Sequence, residues 1–339
     1  MVTVYDKKLV LVCICFLALL FSATQASAAQ PVKLRFANFP AAATFPCISM
    51  ERWAKEVEKA TSGAVQIETY PGGTLLNAKN MVRGVTRGLA DIGCISIAYM
   101  PGAYPLLSAF ELPLGFTSAT EASAVMWDVH QKYRPAETSG FVVLAAFTSA
   151  PSRILSTRPL RDITDIKGMN IRASGVIADV VDLLGGLAVS MPQSDTHDAL
   201  QKGIVNGVMT SLDVMQDYNF AESCRHVLNV DMPAYPFIFF MNAKKFNALP
   251  PETQEKLLAM GKEHSTWTGQ YVDAHADEAL VWSQEKYGTT VHTLSAEKTA
   301  ALDELLAPLV TRWTAAADAK GIQAKAVLED IKTLRALKQ

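Results

Sequence analysis

One step of the chain is written twice. Arg87-Gly-Leu-Ala-Asp-Ile-Gly93 and Lys202-Gly-Ile-Val-Asn-Gly207 each end a helical pattern on a basic residue, follow it with glycine, and use Asp or Asn to enter an apolar run. The basic side chain suits the negative end of the helix dipole, and glycine supplies a left-handed stop. Around both steps, strand patterns alternate with helical ones. That restricts the chain to an α/β architecture with largely parallel sheet, and the recurrence suggests two lobes of similar build.

In the first half, strands are expected at 32–37, 65–70 and 92–97, with helices over 46–60 and 78–87. Met50, Trp53, Ala54 and Val57 set the helical spacing of the first helix. A second α/β run begins near Pro151, with strands at 169–171, 188–190 and 205–209 and helices at 176–184 and 194–202. The final third reads as helix. Pro250-Pro251-Glu252 is a start signal, and the pattern then runs to Lys286, long enough to lie across both lobes. A short strand over 289–294 follows. Then comes helical pattern over 296–320, expected to break or kink at Pro308, and a last helix over 324–337.

Of 339 residues, half are hydrophobic and 19% charged, a globular rather than disordered composition. The net charge of −2 gives no basic footprint for nucleic acid. Lys7 and Lys8 precede the apolar run 9–21, and Ala26-Ser27-Ala28 follows. Charged start, short apolar core and A-x-A site make residues 1–28 a secretory signal peptide. No later run approaches the roughly eighteen apolar residues of a membrane span. Beyond the signal remain Cys47, Cys94 and Cys224, too few for a disulfide scaffold. Cys94 reads as a small buried hydrophobe.

Catalytic motifs are absent: no H-E-x-x-H, C-x-x-C, P-loop, nucleophile elbow or dinucleotide fingerprint occurs. His264 and His275 share a helical face three turns apart, which reads as solvated or capped helix histidines and not as a metal site. No cofactor is expected. The balance moves towards a secreted binding protein.

Arg172 is the conspicuous charge. It stands where a strand gives way to a tight turn, Ala173-Ser174-Gly175, and a helix. Ligands of open α/β sheets sit outside such strand ends. The amides of Ser174, Gly175 and Val176 favour an anion, and a guanidinium beside them matches both oxygens of a carboxylate. From the residues alone, an interlobe salt bridge stays open beside ligand binding.

The surrounding residues add a resemblance. Asp165-Ile-Lys-Gly-Met-Asn-Ile-Arg172 resembles the D-[LIM]-K-G-x-x-[IL]-R segment of the DctP-type extracytoplasmic solute-binding proteins of TRAP (tripartite ATP-independent periplasmic) transporters. Pro192-Gln-Ser-Asp-Thr-His-Asp-Ala-Leu-Gln-Lys-Gly-Ile-Val-Asn-Gly207 is similar to that family's P-x-S-E-x-Y-x-A-L-Q-x-G-x-V-D-G stretch. Tyr70-Pro-Gly-Gly-Thr-Leu75, Phe110-Glu-Leu-Pro-Leu-Gly-Phe116 and Phe246-Asn-Ala-Leu-Pro250 also fit, in the family's order, over nearly the whole chain after the signal.

The resemblance implies a two-lobed, periplasmic-binding-protein-like α/β fold with a ligand cleft between the lobes and a long helix across both. It implies residues 29–149 with 237–275 as lobe I and 150–236 with 276–339 as lobe II. It further implies a periplasmic monomer, not an enzyme, that hands a small organic acid to a membrane permease. Arg172 matches the cleft arginine that pairs with the substrate carboxylate.

By alignment, cleft positions fall on Phe39, Ser96, Tyr99, Val208, Met209 and Thr210. Gln193 and Phe237 are added, and Arg153 is a displaced candidate for a second arginine. His197, Asp195 and Asn206 depart from the family's tyrosine, glutamate and aspartate. So apolar a cleft suits a monocarboxylate with an apolar or aromatic body. A C4-dicarboxylate is the main alternative, and a secreted sensor or hydrolase on the same fold is another. The N-terminus also gives a direct expectation: sequencing the exported protein should find Ala29 first, and an intact Met1 would show a retained anchor.

Overall fold

The computed structural model describes residues 30–337, so the expected signal segment lies outside the described residues. Two sheets organise them. The first contains β1 (Val32–Ala37), β2 (Val65–Tyr70), β3 (Ile92–Ser96), β4 (Phe141–Thr148) and, from far along the chain, β10 (Pro236–Asn242), in the order β2-β1-β3-β10-β4. The second contains β5 (Ser152–Ser156), β6 (Asn170–Arg172), β7 (Leu187–Val189), β8 (Gly207–Thr210), β9 (His226–Met232) and β11 (Thr290–Thr293), in the order β11-β9-β5-β8-β6-β7.

Read from opposite edges, the sheets share one plan. A parallel trio (β2-β1-β3 or β7-β6-β8) is followed by one antiparallel strand, β10 or β5, and then by β4 or β9. The two repeated glycine steps lead into β3 and β8, which hold the same place in their trios. The expected recurrence is therefore a real duplication of build. The expectation of largely parallel sheet holds only for the trios, because each lobe's fourth strand is lent from a later or earlier part of the chain and must run against them.

Every residue of β3 and β10 is buried, which is why Pro236-Phe-Ile-Phe-Phe-Met-Asn242 shows no apolar alternation. Phe239 meets Phe36 edge-on at 4.9 Å and Phe147 at 5.0 Å, with Trp53 fully buried beside them. Burying each such ring stabilises the fold by about 1.5–3 kcal/mol.

The chain crosses between the lobes between β4 and β5, again between β9 and β10, and a third time through a long helix. The first two crossings are tied together: the Ser149 amide donates to the Tyr235 carbonyl at 2.9 Å, and the Tyr235 amide to Ser149 Oγ at 3.0 Å. The expected helix over 251–286 is interrupted at Met260, giving Pro251–Ala259 and the spanning helix Gly261–Tyr287. Asp273 of the spanning helix accepts the first amides of helix Ala119–Tyr133, at Ala119 (2.7 Å) and Thr120 (2.9 Å), in the first lobe. Further along, Tyr287 donates to Asn219 of the second lobe at 2.8 Å.

Two details differ from the sequence reading. Helix Ala296–Asp318 runs through Pro308, whose exposed position leaves the carbonyl it cannot satisfy to water. Helix Ala324–Ala336, read with 276–339 as second-lobe material, lies against first-lobe helix Ala119–Tyr133. Lys132 pairs with Asp330 at 2.6 Å and Arg335 with Glu121 at 3.2 Å, while Val327 and Ile331 bury their apolar face.

At Gly261 the spanning helix touches its neighbour most closely. A Cβ there would stand 2.0 Å from the Trp127 ring and 2.7 Å from the Leu144 carbonyl. Gly261→Ala should destabilise the fold by roughly 1–3 kcal/mol through overpacking, read as a lower urea midpoint.

Candidate functional site

Both parallel trios point their carboxyl ends at one cavity, the position where open α/β sheets hold ligands. Ser96 and Tyr99 come from the end of β3, Phe39 from the end of β1, Arg172 from the end of β6, and Thr210 from the end of β8. The crossings contribute Ser149 and Tyr235.

Arg172 sits where the strand pattern puts it, at the end of β6 between β7 and β8, and is only 1% exposed. Its Nε and Nη2 donate to the Met191 carbonyl at 3.0 and 2.7 Å, and Nη2 reaches Tyr99 Oη at 3.4 Å. The Tyr235 ring lies 5.7 Å from the guanidinium carbon. No carboxylate pairs with it among the described residues, so the interlobe salt bridge is not what holds this charge. A buried cation without a counter-ion is costly unless an anion joins it.

Tyr99 closes the cleft over this group. Its hydroxyl, from the first lobe, accepts the Gln193 amide of the second at 3.0 Å. Aromatic rings form the walls: Phe39 stands edge-on to Tyr99 at 5.5 Å, and Phe45 to Phe237 at 5.4 Å. Two polar atoms of lining residues, Ser96 Oγ and Gln193 Nε2, are buried and have no partner among the described residues. A ligand's polar groups would complete them.

The structure thus brings Phe39, Ser96, Tyr99, Arg172, Gln193, Thr210 and Phe237 to one cavity and leaves two candidates outside it. Arg153 is turned to the Asp231 carboxylate at 2.7 Å and Asn229 at 2.6 Å, since β5 pairs with β9, which carries both. Met209 lies in the core, and so does its aligned neighbour Val208. Val208 and Met209 point to opposite faces of β8 and are both buried, so Thr210 reaches the cavity because it ends the strand. Met209 contributes instead through its carbonyl, which accepts the Tyr235 hydroxyl at 3.0 Å. The sequence reading missed Phe45, Ser149, Ser211, Asp213, Tyr218 and Tyr235. Asp213 could have been found by the logic applied to Arg172, for it too follows the carboxyl end of a parallel strand.

A second correction concerns the helix after Arg172. Its start, Gly175 with φ +61°, was expected to offer free amides to the ligand. Instead the Val176 amide donates to Glu111 Oε2 at 3.3 Å, and the Ser174 amide to Tyr235 Oη at 3.4 Å. Glu111 comes from the first lobe, is buried, and occupies the helix start itself. Of the two readings of the histidines, solvated or capped, the structure favours the second. His264 is buried against Ser49 (2.9 Å), and half-buried His275 bonds Asp217 (2.7 Å), so neither is solvated. Among the described residues no His, Cys, Asp and Glu cluster could hold a metal ion. Cys47, Cys94 and Cys224 are all buried and unbridged.

Burial pushes the Glu111 carboxyl from its ordinary 4.5 up to about 8, opposed by the Val176 amide and aided by Asp179. A raised acid contributes its full stability below pH 4.5 and loses it as pH climbs through about 8. Glu111→Gln, which keeps the shape, should therefore gain on wild type over that window by on the order of a few kcal/mol, measured by urea titrations at several pH values.

The profile of the family described as "Bacterial extracellular solute-binding protein, family 7" matches residues 36–316. A TRAP periplasmic solute-binding protein from Desulfovibrio salexigens, solved as an open complex, is 48% identical, with TM-score 0.81 over 90% of this chain and 95% of that one. A marine metagenome TRAP solute-binding protein described as specific for aromatic acid ligands, solved with 3-hydroxybenzoate, is 26% identical, with TM-score 0.86 over 91% and 99%. The C4-dicarboxylate-binding periplasmic protein DctP of Rhodobacter capsulatus is 24% identical over 83% of this chain and 86% of its own. A solute-binding protein of Albidiferax ferrireducens is 27% identical over 63% of this chain, which spans 65% of that relative's length.

Proposed function

The chain belongs to the bacterial extracellular solute-binding proteins of family 7, and on that premise we propose that it captures a monocarboxylate with an aromatic or apolar body in the periplasm, as a monomer, for a TRAP permease. The single observation that carries this reading is Arg172, a guanidinium 1% exposed that lines the cavity without a protein carboxylate. The ligand's carboxylate is the missing counter-ion. The planar fork of the guanidinium suits it, and exclusion of water strengthens the pairing.

The body follows from the walls. Phe39, Phe45, Phe237, Tyr218 and Tyr235 surround the space beyond Arg172, and such rings favour edge or stacked contact with another ring. The 3-hydroxybenzoate held by the metagenome relative supports the same ligand class. A C4-dicarboxylate would need a second cation. Arg153, the sequence's one offer, is engaged by Asp231 outside the cavity. Closure in this reading is a hinge motion about the Ser149–Tyr235 pair. We assign residues 30–149 with 237–275 to the first lobe and the remaining strands to the second.

A hydrolytic reading meets one constellation worth weighing. Ser49 Oγ lies 2.9 Å from His264 Nε2, and His264 Nδ1 lies 3.4 Å from Glu56. Ser49 is fully buried and also shares a hydrogen bond of 2.7 Å with Thr268. The triplet fastens helix Phe45–Ala60 to the spanning helix and offers no substrate access.

A micromolar ligand is held by about 8 kcal/mol, and losing one partner of a desolvated charge pair costs about 2–5 kcal/mol. Arg172→Ala should weaken binding of the best acid by roughly 30-fold or more, with the free protein still folded. A thermal-shift screen over aliphatic, aromatic, sugar and dicarboxylic acids, followed by calorimetry on wild type and variant, measures this. Unchanged affinity in the variant, or a best ligand without an acid group, would overturn the reading.

A further inference from the structure

Asp213 lines the same cavity as Arg172, is 2% exposed, and makes no ion pair with it. Two opposite charges that share a desolvated space without meeting leave room for something between them. Asp213 also stands at the cap position before the one-turn helix Val214–Asp217, where an aspartate side chain commonly accepts the helix's amides, yet its side chain makes no such bond. Its one side-chain partner among the described residues is the Ser211 hydroxyl, which donates to Oδ1.

The cationic group near it, the His275 imidazole, bonds a different acid. The next acid, Asp217, is held by His275 at 2.7 Å, with Glu278 4.0 Å from the far side of that imidazole. Tyr218 completes the wall. Burial first, and Asp217 second, raise the affinity of Asp213 for a proton, against the Ser211 hydroxyl and His275, which lower it.

We propose that Asp213 is the second recognition point of the cleft: it accepts a hydrogen bond from a hydroxyl or amino group on the ligand's body, and it disfavours ligands that bring a second carboxylate there. This rests on the reading of Arg172 as the carboxylate site. The ligand is then an aromatic or apolar acid bearing a separate O–H or N–H donor. The donor replaces what burial removes from Asp213, whereas a carboxylate in its place would meet like charge. Thr210 flanks the same wall, and its hydroxyl can donate to a lone pair of the ligand's oxygen, while the Ser211 hydroxyl stays committed to Asp213.

Calorimetry on the full secreted protein tests this with benzoate and phenylacetate, their hydroxy and amino ring isomers, and the corresponding benzene dicarboxylates. At least one hydroxy or amino isomer should bind roughly ten-fold or more tightly than its parent acid, and the dicarboxylates more weakly than the parent. In Asp213→Ala the ratio of isomer to parent should fall to near one. If wild type binds parents as tightly as every isomer, or prefers a dicarboxylate, the assignment of Asp213 is wrong while Arg172 stands. If none of these acids binds while another acid does, the assignment of Asp213 is wrong and Arg172 stands, and if no acid of any class binds, the carboxylate reading itself fails. Should the variant not fold, the wild-type ratios alone decide.

Discussion

The structure turns on a positive charge sealed away from water without a negative one beside it. Arg172 is held by one backbone carbonyl, one tyrosine hydroxyl and one tyrosine ring, from Met191, Tyr99 and Tyr235. These fix its direction and leave its charge uncompensated. Much of the local structure serves that placement. β6 ends on it, β7 and β8 flank it, and Gly175 turns the chain at positive φ directly behind it. A Cβ at Gly175 would come within 2.4 Å of Glu111, so the turn is also what lets the first lobe approach.

Duplication of build is what makes a cleft from two sheets. Each parallel trio offers polar strand ends on one side, and the two sets of ends converge because each lobe borrows a strand across the hinge. β10 and β5 run antiparallel to their trios, so the chain leaves and re-enters each lobe beside the cavity and not at its far edge. The spanning helix then fixes the pair from outside. Its Asp273 caps a first-lobe helix, while His275, less than a turn later, holds Asp217 close behind the cavity wall. Two hydrogen bonds tie the first two crossings to each other at Ser149 and Tyr235.

Much of this was legible in the residues. The glycine steps gave β3 and β8, alternation gave β1 and β2, and the Asp165–Arg172 segment placed the arginine at a strand end. The places where reading failed share a cause. Arg153 and Arg172 both stand beside apolar strand residues, but β5 pairs with β9, which carries Asp231, whereas β6 lies between two strands with no acid at that level. Glu111 lies 65 residues from the Val176 amide it occupies, and no local pattern announces that meeting. Asp213 stood in plain sight after β8 but reads in isolation as an ordinary helix cap.

By itself the sequence determined the α/β class, the two lobes, the long helix and the arginine that faces the cleft. Each of these follows from local periodicity, caps and short motifs, which act over a few residues. Tertiary structure alone decided which charges remain unpaired. Pairing depends on contacts between segments distant along the chain, and it took Arg153 and the helix amides out of the cavity while leaving Arg172 and Asp213 within it.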